Sequence, residues 1–214
     1  MKGQTILFIS DMRQVYLAEI LTKKGICVRC LDVRNRERAG TQLEKLETYL
    51  AEAGRLILPV PVTKIPDQER LEEILRKDVP EDVLVFGGCF SDTQKKILRA
   101  GRICFYDFMD DEQVKEENAV ATAEGVIAEL VSNSPYNIEG AKILVTGYGK
   151  CGRAAACRLK SLGARVTVLA RRKETRREAK KDGIYAADFA FGPEEAMGTA
   201  MVVNTVPAPV VTKL

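Results

Sequence analysis

A chain of 214 residues with 46% hydrophobic and 29% charged side chains has room for one large or two small domains, each with a proper core. Its 33 basic and 30 acidic residues leave a formal charge of +3, too balanced to argue for a nucleic-acid surface, and no apolar run approaches the ~20 residues of a membrane helix. Histidine is absent, which excludes a Ser-His-Asp triad and a His-carboxylate proton shuttle within this chain.

The first half alternates strand and helix signals. TILFIS predicts a strand, so the N-terminal MKGQTILFISDMRQ reads as a first β-element and not as a signal peptide. RQVYLAEILTKKG follows with helical spacing and Gly25 at its end. ICVRCLDV is the next strand, and TQLEKLETYLAEAG the next amphipathic helix, stopped by Gly54. RLILPVPV predicts a buried strand cut short by Pro59 and Pro61. DQERLEEILRKDVP supplies a helix, DVLVFGG a strand, SDTQKKILRAG a helix opened by Ser91 or Asp92, and ICFYDF a fifth strand. Strands alternating with helices in this way argue for a parallel, doubly wound sheet over residues 1–112. Ligands of such sheets lie beyond the carboxyl ends of the strands. That nominates Ser10 to Gln14, Val60 to Thr63 and Gly87 to Ser91.

Residues 113–140 read as a connecting helix and linker. The helix AVATAEGVIAELVSNSPY runs for about five turns, with Thr122 or the residues before it as its cap, and Pro135 and Gly140 punctuate the segment beyond it. The second domain, 141–214, offers KILVT, a glycine turn, a helix over 152–162, RVTVLA, a helix over 173–182, a weak strand near YAADFAF, and MVVNTV. A complete dinucleotide-binding sheet usually has about six strands, so this domain is expected to be truncated or to draw strands from elsewhere.

Six cysteines stand at 27, 30, 89, 104, 151 and 157. Cys27 and Cys30 have CxxC spacing but lie inside an apolar run, where strand alternation points them to opposite faces. No second pair supports them, so no metal site or disulfide is expected, and the reducing cytoplasm is the expected compartment.

Gly147-x-Gly149-x-x-Gly152 sits between a buried strand and an amphipathic helix. In that context the three glycines serve, in order, a tight turn, close backbone approach to a pyrophosphate, and close helix–strand packing. The phosphates would rest on free N–H groups at the helix N-terminus. About twenty residues on, an NAD site places an acid on the ribose 2′-hydroxyl, whereas an NADP site offers arginine to a 2′-phosphate. Here the second strand ends in Ala170-Arg171-Arg172. A repelling carboxylate is missing and two guanidiniums match phosphate oxygens in charge and geometry, so NADP is the expected cofactor. Lys173 and Arg176 can add to the same field, although Arg176, Arg177, Lys180 and Lys181 read more simply as a solvated basic helix face. The expected cofactor-binding set is Gly147, Tyr148, Gly149, Lys150, Cys151, Gly152, Arg171 and Arg172, with Thr205, Val206 and Pro207 after the last strand. Cys151 would contribute its backbone N–H, and Cys157 packing. Thr205 either hydrogen-bonds a ribose or the nicotinamide end, or belongs to an ordinary strand-ending turn.

The succession of D-x-R-Q (Asp11, Arg13, Gln14), LPVPVT, NAVATAEGVIAEL and IEGAKILVTGYGKCGR resembles the A subunit of dipicolinate synthase over nearly the whole chain. More distantly it is similar to D-2-hydroxyacid and alanine dehydrogenases. The resemblance implies an α/β fold of two doubly wound parallel-sheet domains, a flavodoxin-like one followed by an NADP-binding Rossmann one. It implies oxidation of a cyclic dihydro- or hydroxytetrahydrodicarboxylate to dipicolinate in spore formation. It also implies a homo-oligomeric assembly whose partner is a flavoprotein-like B subunit. On the residues it implies that Arg13 pairs with a substrate carboxylate, helped by Gln14, Thr63 and Thr122. Asp11 would orient Arg13 or handle a proton, unless it is simply a helix cap, and Glu124 is the candidate general base. Family members continue through further strands and a closing helix. Two alternatives stand: another NADP-dependent dehydrogenase of the same plan, and a non-catalytic NADP(H)-binding assembly subunit.

Overall fold

The computed structural model describes residues 3–190, 196–208 and 210. The chain divides into two compact units, Met1–Glu112 and Gln113–Leu214. In the first, β1 (Gln4–Ile9), β2 (Val28–Asp32), β3 (Ala53–Ile57), β4 (Leu84–Gly87) and β5 (Phe105–Asp107) alternate with α1 (Met12–Lys23), α2 (Ala39–Leu50), α3 (Gln68–Lys77) and α4 (Asp92–Ala100). All pairings are parallel, in the order β2-β1-β3-β4-β5, which is the flavodoxin-like order that changes direction beside β1. The apolar runs become these strands because helices cover both faces of a parallel sheet. Ile6, Leu7 and Phe8 of β1 are fully buried on alternating faces. Leu43, Leu46 and Leu50 of α2 and Leu71, Ile74 and Leu75 of α3 recur at helical spacing and join the same core.

One boundary differs from the sequence reading. The second helix ends at Leu50, and Gly54 lies inside β3 and does not stop the helix. Ala53 is fully buried and pairs with Gln4, so strand pairing claims the two residues that the glycine signal assigned to a helix end.

The second unit opens with α5 (Glu112–Asn133), followed by β6 (Lys142–Thr146), α6 (Lys150–Ser161), β7 (Arg165–Leu169), α7 (Lys173–Lys181), β8 (Tyr185–Ala187) and β9 (Met201–Asn204). The sheet order is β8-β7-β6-β9, again parallel, the 3-2-1-4 arrangement of a Rossmann half. Ala119, Ala123, Val126, Ile127 and Leu130 form the inner face of α5, the last three packed on the unit's core. Val126, Ile127 and Leu130 are partly covered, so each contributes less than the ~1.5–3 kcal/mol of a fully buried aliphatic side chain. Thr122 is not the cap expected of it. It lies in mid-helix and donates its hydroxyl to Asn118 O at 2.7 Å, because the apolar spacing continues well upstream of it.

Candidate functional site

At the carboxyl end of β6 the chain makes the turn that the three glycines allow. Gly147 adopts φ +86°, a conformation that costs a residue with a Cβ and not glycine. A Cβ on Gly152 would stand 2.6 Å from Gly147 O and 2.8 Å from Thr205 Oγ1, whereas one on Gly149 would meet nothing within 4 Å. The three positions therefore divide as the fingerprint requires: one turns, one packs, and one leaves open space in front of the helix. Gly149 is the N-cap of α6 and brings no side-chain cap. The first N–H groups of a helix have no intrahelical acceptor, so the positive end of α6 is left to an outside oxygen.

A cavity of about 540 Å³ opens at this end, within the range of nucleotide-sized pockets. It is lined by Gly147, Tyr148 and Gly149 of the glycine turn, by Thr205 and Val206 after β9, and by Ala170, Arg171, Arg172, Thr175 and Phe189. The glycine turn and the two arginines thus share one cavity, and the residues fit a dinucleotide with its diphosphate on α6. Thr175 and Phe189 are additions that sequence reasoning does not supply. Thr175 stands in the first turn of α7 and Phe189 just after β8, and neither belongs to a motif whose spacing announces it.

Other expected residues take supporting positions. Thr205 donates its hydroxyl to Thr146 O at 2.7 Å and packs beneath Gly147 and Gly152. Its proton is spent on holding the turn, while the residue still lines the cavity. Tyr148 is 5% exposed and donates its hydroxyl to Asp182 Oδ2 at 2.8 Å, with Cys157 Sγ at 3.7 Å. Burial, then the bond to Asp182 and the contact with Cys157, push this phenol far above its ordinary range. Arg153 grips Asp182 at 2.8 and 3.1 Å and, ahead of Tyr148, holds that carboxyl below the usual range. The aromatic ring of the glycine turn is thereby tied to the far end of α7. Lys150 pairs with Glu116 at 3.1 Å, Cys151 is half-buried in the first turn of α6, and Pro207 is exposed beyond β9. Arg176 departs from the solvated-face reading. It is half-buried, and Nη1 donates to Ala170 O at 2.7 Å and Arg171 O at 2.6 Å. Lys180, on the same helix, is exposed as expected.

In the first unit, Asp11 caps α1 and accepts from Arg13 N at 2.9 Å, from Arg13 Nε at 3.1 Å and from Nη2 at 2.8 Å. Lys64, from the 3-10 turn after β3, pairs with the same carboxylate. The Arg13 guanidinium first, and Lys64 with it, hold Asp11 well below the usual carboxylate range against the opposing effect of burial. Of the three roles open to Asp11, capping and orienting Arg13 are the ones its bonds serve. Arg13 Nη2 also donates to Val60 O at 3.1 Å. Two cations share one carboxylate, so this strand end keeps one surplus positive charge. Lys64 escapes a sequence reading because only the fold brings the β3 turn to the start of α1.

Gln14 is 7% exposed, and its Oε1 accepts from Ser10 N, Ser10 Oγ and Asp11 N at 3.3, 3.2 and 2.9 Å. Its carbonyl completes a capping box, so only the Nε2 amide donors are left to meet a carboxylate. Thr63 is exposed beside Lys64. Thr122 and Glu124 lie on the exposed side of α5, in the second unit. Asp107 carries no motif, yet it is 5% exposed and accepts from Cys89 N, Phe90 N and Met109 N at 2.9–3.1 Å, with Lys95 at 3.1 Å. Burial pushes its carboxyl up, and the N–H of Met109, Lys95 and the other two N–H groups outweigh that and hold it below its ordinary value. It fixes the Gly87–Ser91 loop at the sheet's ligand-binding edge.

Fold and glycine site together define a two-unit α/β protein with a Rossmann nicotinamide-nucleotide-binding domain. Residues 137–213 match the NADPH-binding domain of acetohydroxy acid isomeroreductase, and 10–109 match the N-terminal domain of the A subunit of dipicolinate synthase. The A subunit of dipicolinate synthase from Bacillus subtilis is 22% identical over 92% of this chain and 71% of its own length. In fold, the chain follows the crystal structure of the corresponding protein from Bacillus halodurans with a TM-score of 0.67 at 18% identity, over 99% of this chain and 76% of the other. The motif resemblance is borne out: the chain is similar to the A subunit of dipicolinate synthase over nearly its whole length. An adenosylhomocysteinase of Thermoplasma volcanium is also similar, 29% identical over 58% of this chain, and the match spans only 33% of that enzyme. Among the described residues no helix is long and apolar enough to cross a membrane.

Proposed function

We propose that this chain is an NADP-dependent oxidoreductase subunit of the dipicolinate synthase kind, acting in the cytoplasm. Its substrate is a small cyclic dicarboxylate, a dihydro- or hydroxytetrahydrodipicolinate, oxidised to dipicolinate for spore formation. The observation that carries the reading is the single cavity shared by an uncapped glycine-turn helix and Arg171-Arg172, with Ala170 where an NAD site keeps its acid. The match of this unit to an NADPH-binding domain supports the same cofactor.

Bound nicotinamide supplies the hydride chemistry, and the protein supplies orientation and electrostatics. The backbone at Gly147 to Gly152 receives the diphosphate, and the two arginines receive the 2′-phosphate. In the first unit Arg13, steadied by Asp11, and Lys64 present the surplus positive charge to a substrate carboxylate. Glu124 takes the substrate proton in this reading. Further copies of this chain and a flavoprotein B-type subunit complete the assembly.

Calorimetric titration of NADP+ against NAD+ tests the cofactor. Each of Arg171→Ala and Arg172→Ala should weaken NADP+ by ~1.5–3 kcal/mol, the contribution of a charged hydrogen bond, and leave NAD+ unmoved. Equal affinity of the wild type for both coenzymes would sink the reading. Growth of the reduced-nicotinamide absorbance, with and without a co-expressed B-type subunit, tests the activity. Coenzyme binding without turnover in either setting would favour a non-catalytic assembly subunit.

A further inference from the structure

The loop that carries Arg171 and Arg172 has three backbone carbonyls, and one residue bonds all of them. Arg176 Nη1 donates to Ala170 O at 2.7 Å and to Arg171 O at 2.6 Å, and Arg176 N donates to Arg172 O at 3.2 Å. Ala170 is 4% exposed, with its own N–H given to Ala187 O at 3.0 Å. The backbone between β7 and α7 is thus held at every carbonyl.

The chemistry of those carbonyls matters for the ligand. A carbonyl oxygen is an acceptor with negative partial charge. Free at this edge of the cavity, it would accept a bond from a ribose 2′-hydroxyl and repel a 2′-phosphate. Bonded to a guanidinium, it keeps a second lone pair but its negative partial charge is offset by the cation, so it serves a hydroxyl less well and repels a phosphate less. Both bonds come from the one nitrogen Nη1, whose two N–H groups are fixed in the guanidinium plane, whereas lysine offers a strongly hydrated point charge on a flexible stem. The charge of Arg176 also adds to the field of the two arginines that line the cavity.

We propose that Arg176 sets the coenzyme preference of this site as a positioning residue: its guanidinium offsets the charge of the Ala170 and Arg171 carbonyls, which would otherwise serve an unphosphorylated ribose, and holds Arg171 and Arg172 for a phosphate. The inference rests on the NADP reading and adds a residue that acts through the backbone. It places the origin of selectivity partly outside the two arginines that a sequence motif would name.

The test compares 2′,5′-ADP with 5′-AMP, fragments that differ only in the 2′-phosphate, by calorimetry on the whole chain. In Arg176→Met the preference for 2′,5′-ADP falls by about tenfold while 5′-AMP binds as in the wild type or tighter. Arg176→Lys falls between the two. Equal weakening of both ligands in Arg176→Met would assign Arg176 to the fold alone and overturn the proposal, as would an unchanged preference. If circular dichroism shows that Arg176→Met is unfolded, Arg176→Lys carries the test, and it must lower the preference without weakening 5′-AMP. A wild type that does not prefer 2′,5′-ADP overturns the NADP reading and this inference with it. A wild-type preference that Arg171→Ala reduces and Arg176→Met does not overturns the inference alone.

Discussion

The two sheets are built alike and finish their ligand-binding edges in opposite ways. In the first unit, the helices that follow β1 and β4 are sealed by the protein's own oxygens: Asp11 with Gln14 on α1, and Ser91 with Gln94 on α4. In the second, α6 and α7 begin at Gly149 and Arg172 with no side-chain cap. A helix N-terminus carries unsatisfied donors and a partial positive charge in either case. Where side chains satisfy them, the proposed ligand recognition rests on other charges, those of Arg13 and Lys64. Where glycine leaves them bare, a phosphate can supply the missing oxygens. In the proposed reading one architecture thereby carries a side-chain site in one unit and a backbone site in the other.

Substitutions in each unit sharpen that contrast. The largest effect is expected at Gly152→Ala in the backbone site. The new methyl group would meet Gly147 O, which cannot retreat without undoing the turn, so the overpacking costs ~1–3 kcal/mol and calorimetry should detect no dinucleotide uptake. Gly125, on α5 with open space around it, is the control: Gly125→Ala should leave uptake intact and raise the melting temperature slightly through helix propensity.

Next comes the side-chain site. Asp11→Ala removes a helix cap at a cost of ~0.5–2 kcal/mol and releases Arg13 and Lys64, so denaturant melts should show the loss while coenzyme titrations do not change. The pH dependence has a definite sign. The folded-state carboxyl of Asp11 is depressed, so its contribution is complete above the ordinary aspartate pKa of ~3.9 and fades as the pH falls below it. The stability gap between wild type and Asp11→Ala should therefore be full at neutral pH and shrink under acid. A gap that widened under acid would contradict the ion-pair account.

The smallest effect is spectroscopic. Because the Tyr148 hydroxyl is buried and bonded to Asp182, Tyr148→Phe should leave the amplitude of the alkaline ultraviolet titration unchanged up to about pH 12. A lost amplitude near the ordinary tyrosine pKa would show that the phenol is free and that the glycine turn is not tied to α7.

Much of the backbone site was legible because its parts are local. Gly147, Gly149 and Gly152 lie within one turn of strand and helix, and Ala170 to Arg172 end the very next strand, so spacing alone brings them to one edge. The side-chain site was half legible. Asp11, Arg13 and Gln14 were marked by their place at a strand end. Which of them are committed to each other depends on hydrogen-bond geometry that several arrangements of the same residues would satisfy. Lys64, Asp107 and Phe189 were out of reach, because each is brought in by another element of the chain, and Thr175, although next to the arginines, belongs to no motif that marks it. Arg176 reads as solvated because helical periodicity cannot see the carbonyls at the end of a neighbouring strand.

By itself, the order of residues determined the alternation of strands and helices, the glycine turn and the absence of a carboxylate at 170, all consequences of local sterics and charge. Only the tertiary structure decided which polar groups are spent inside the protein and which remain for a ligand. Hydrogen bonds are shared between residues far apart in the chain, and their allocation follows from packing the sheets and helices together.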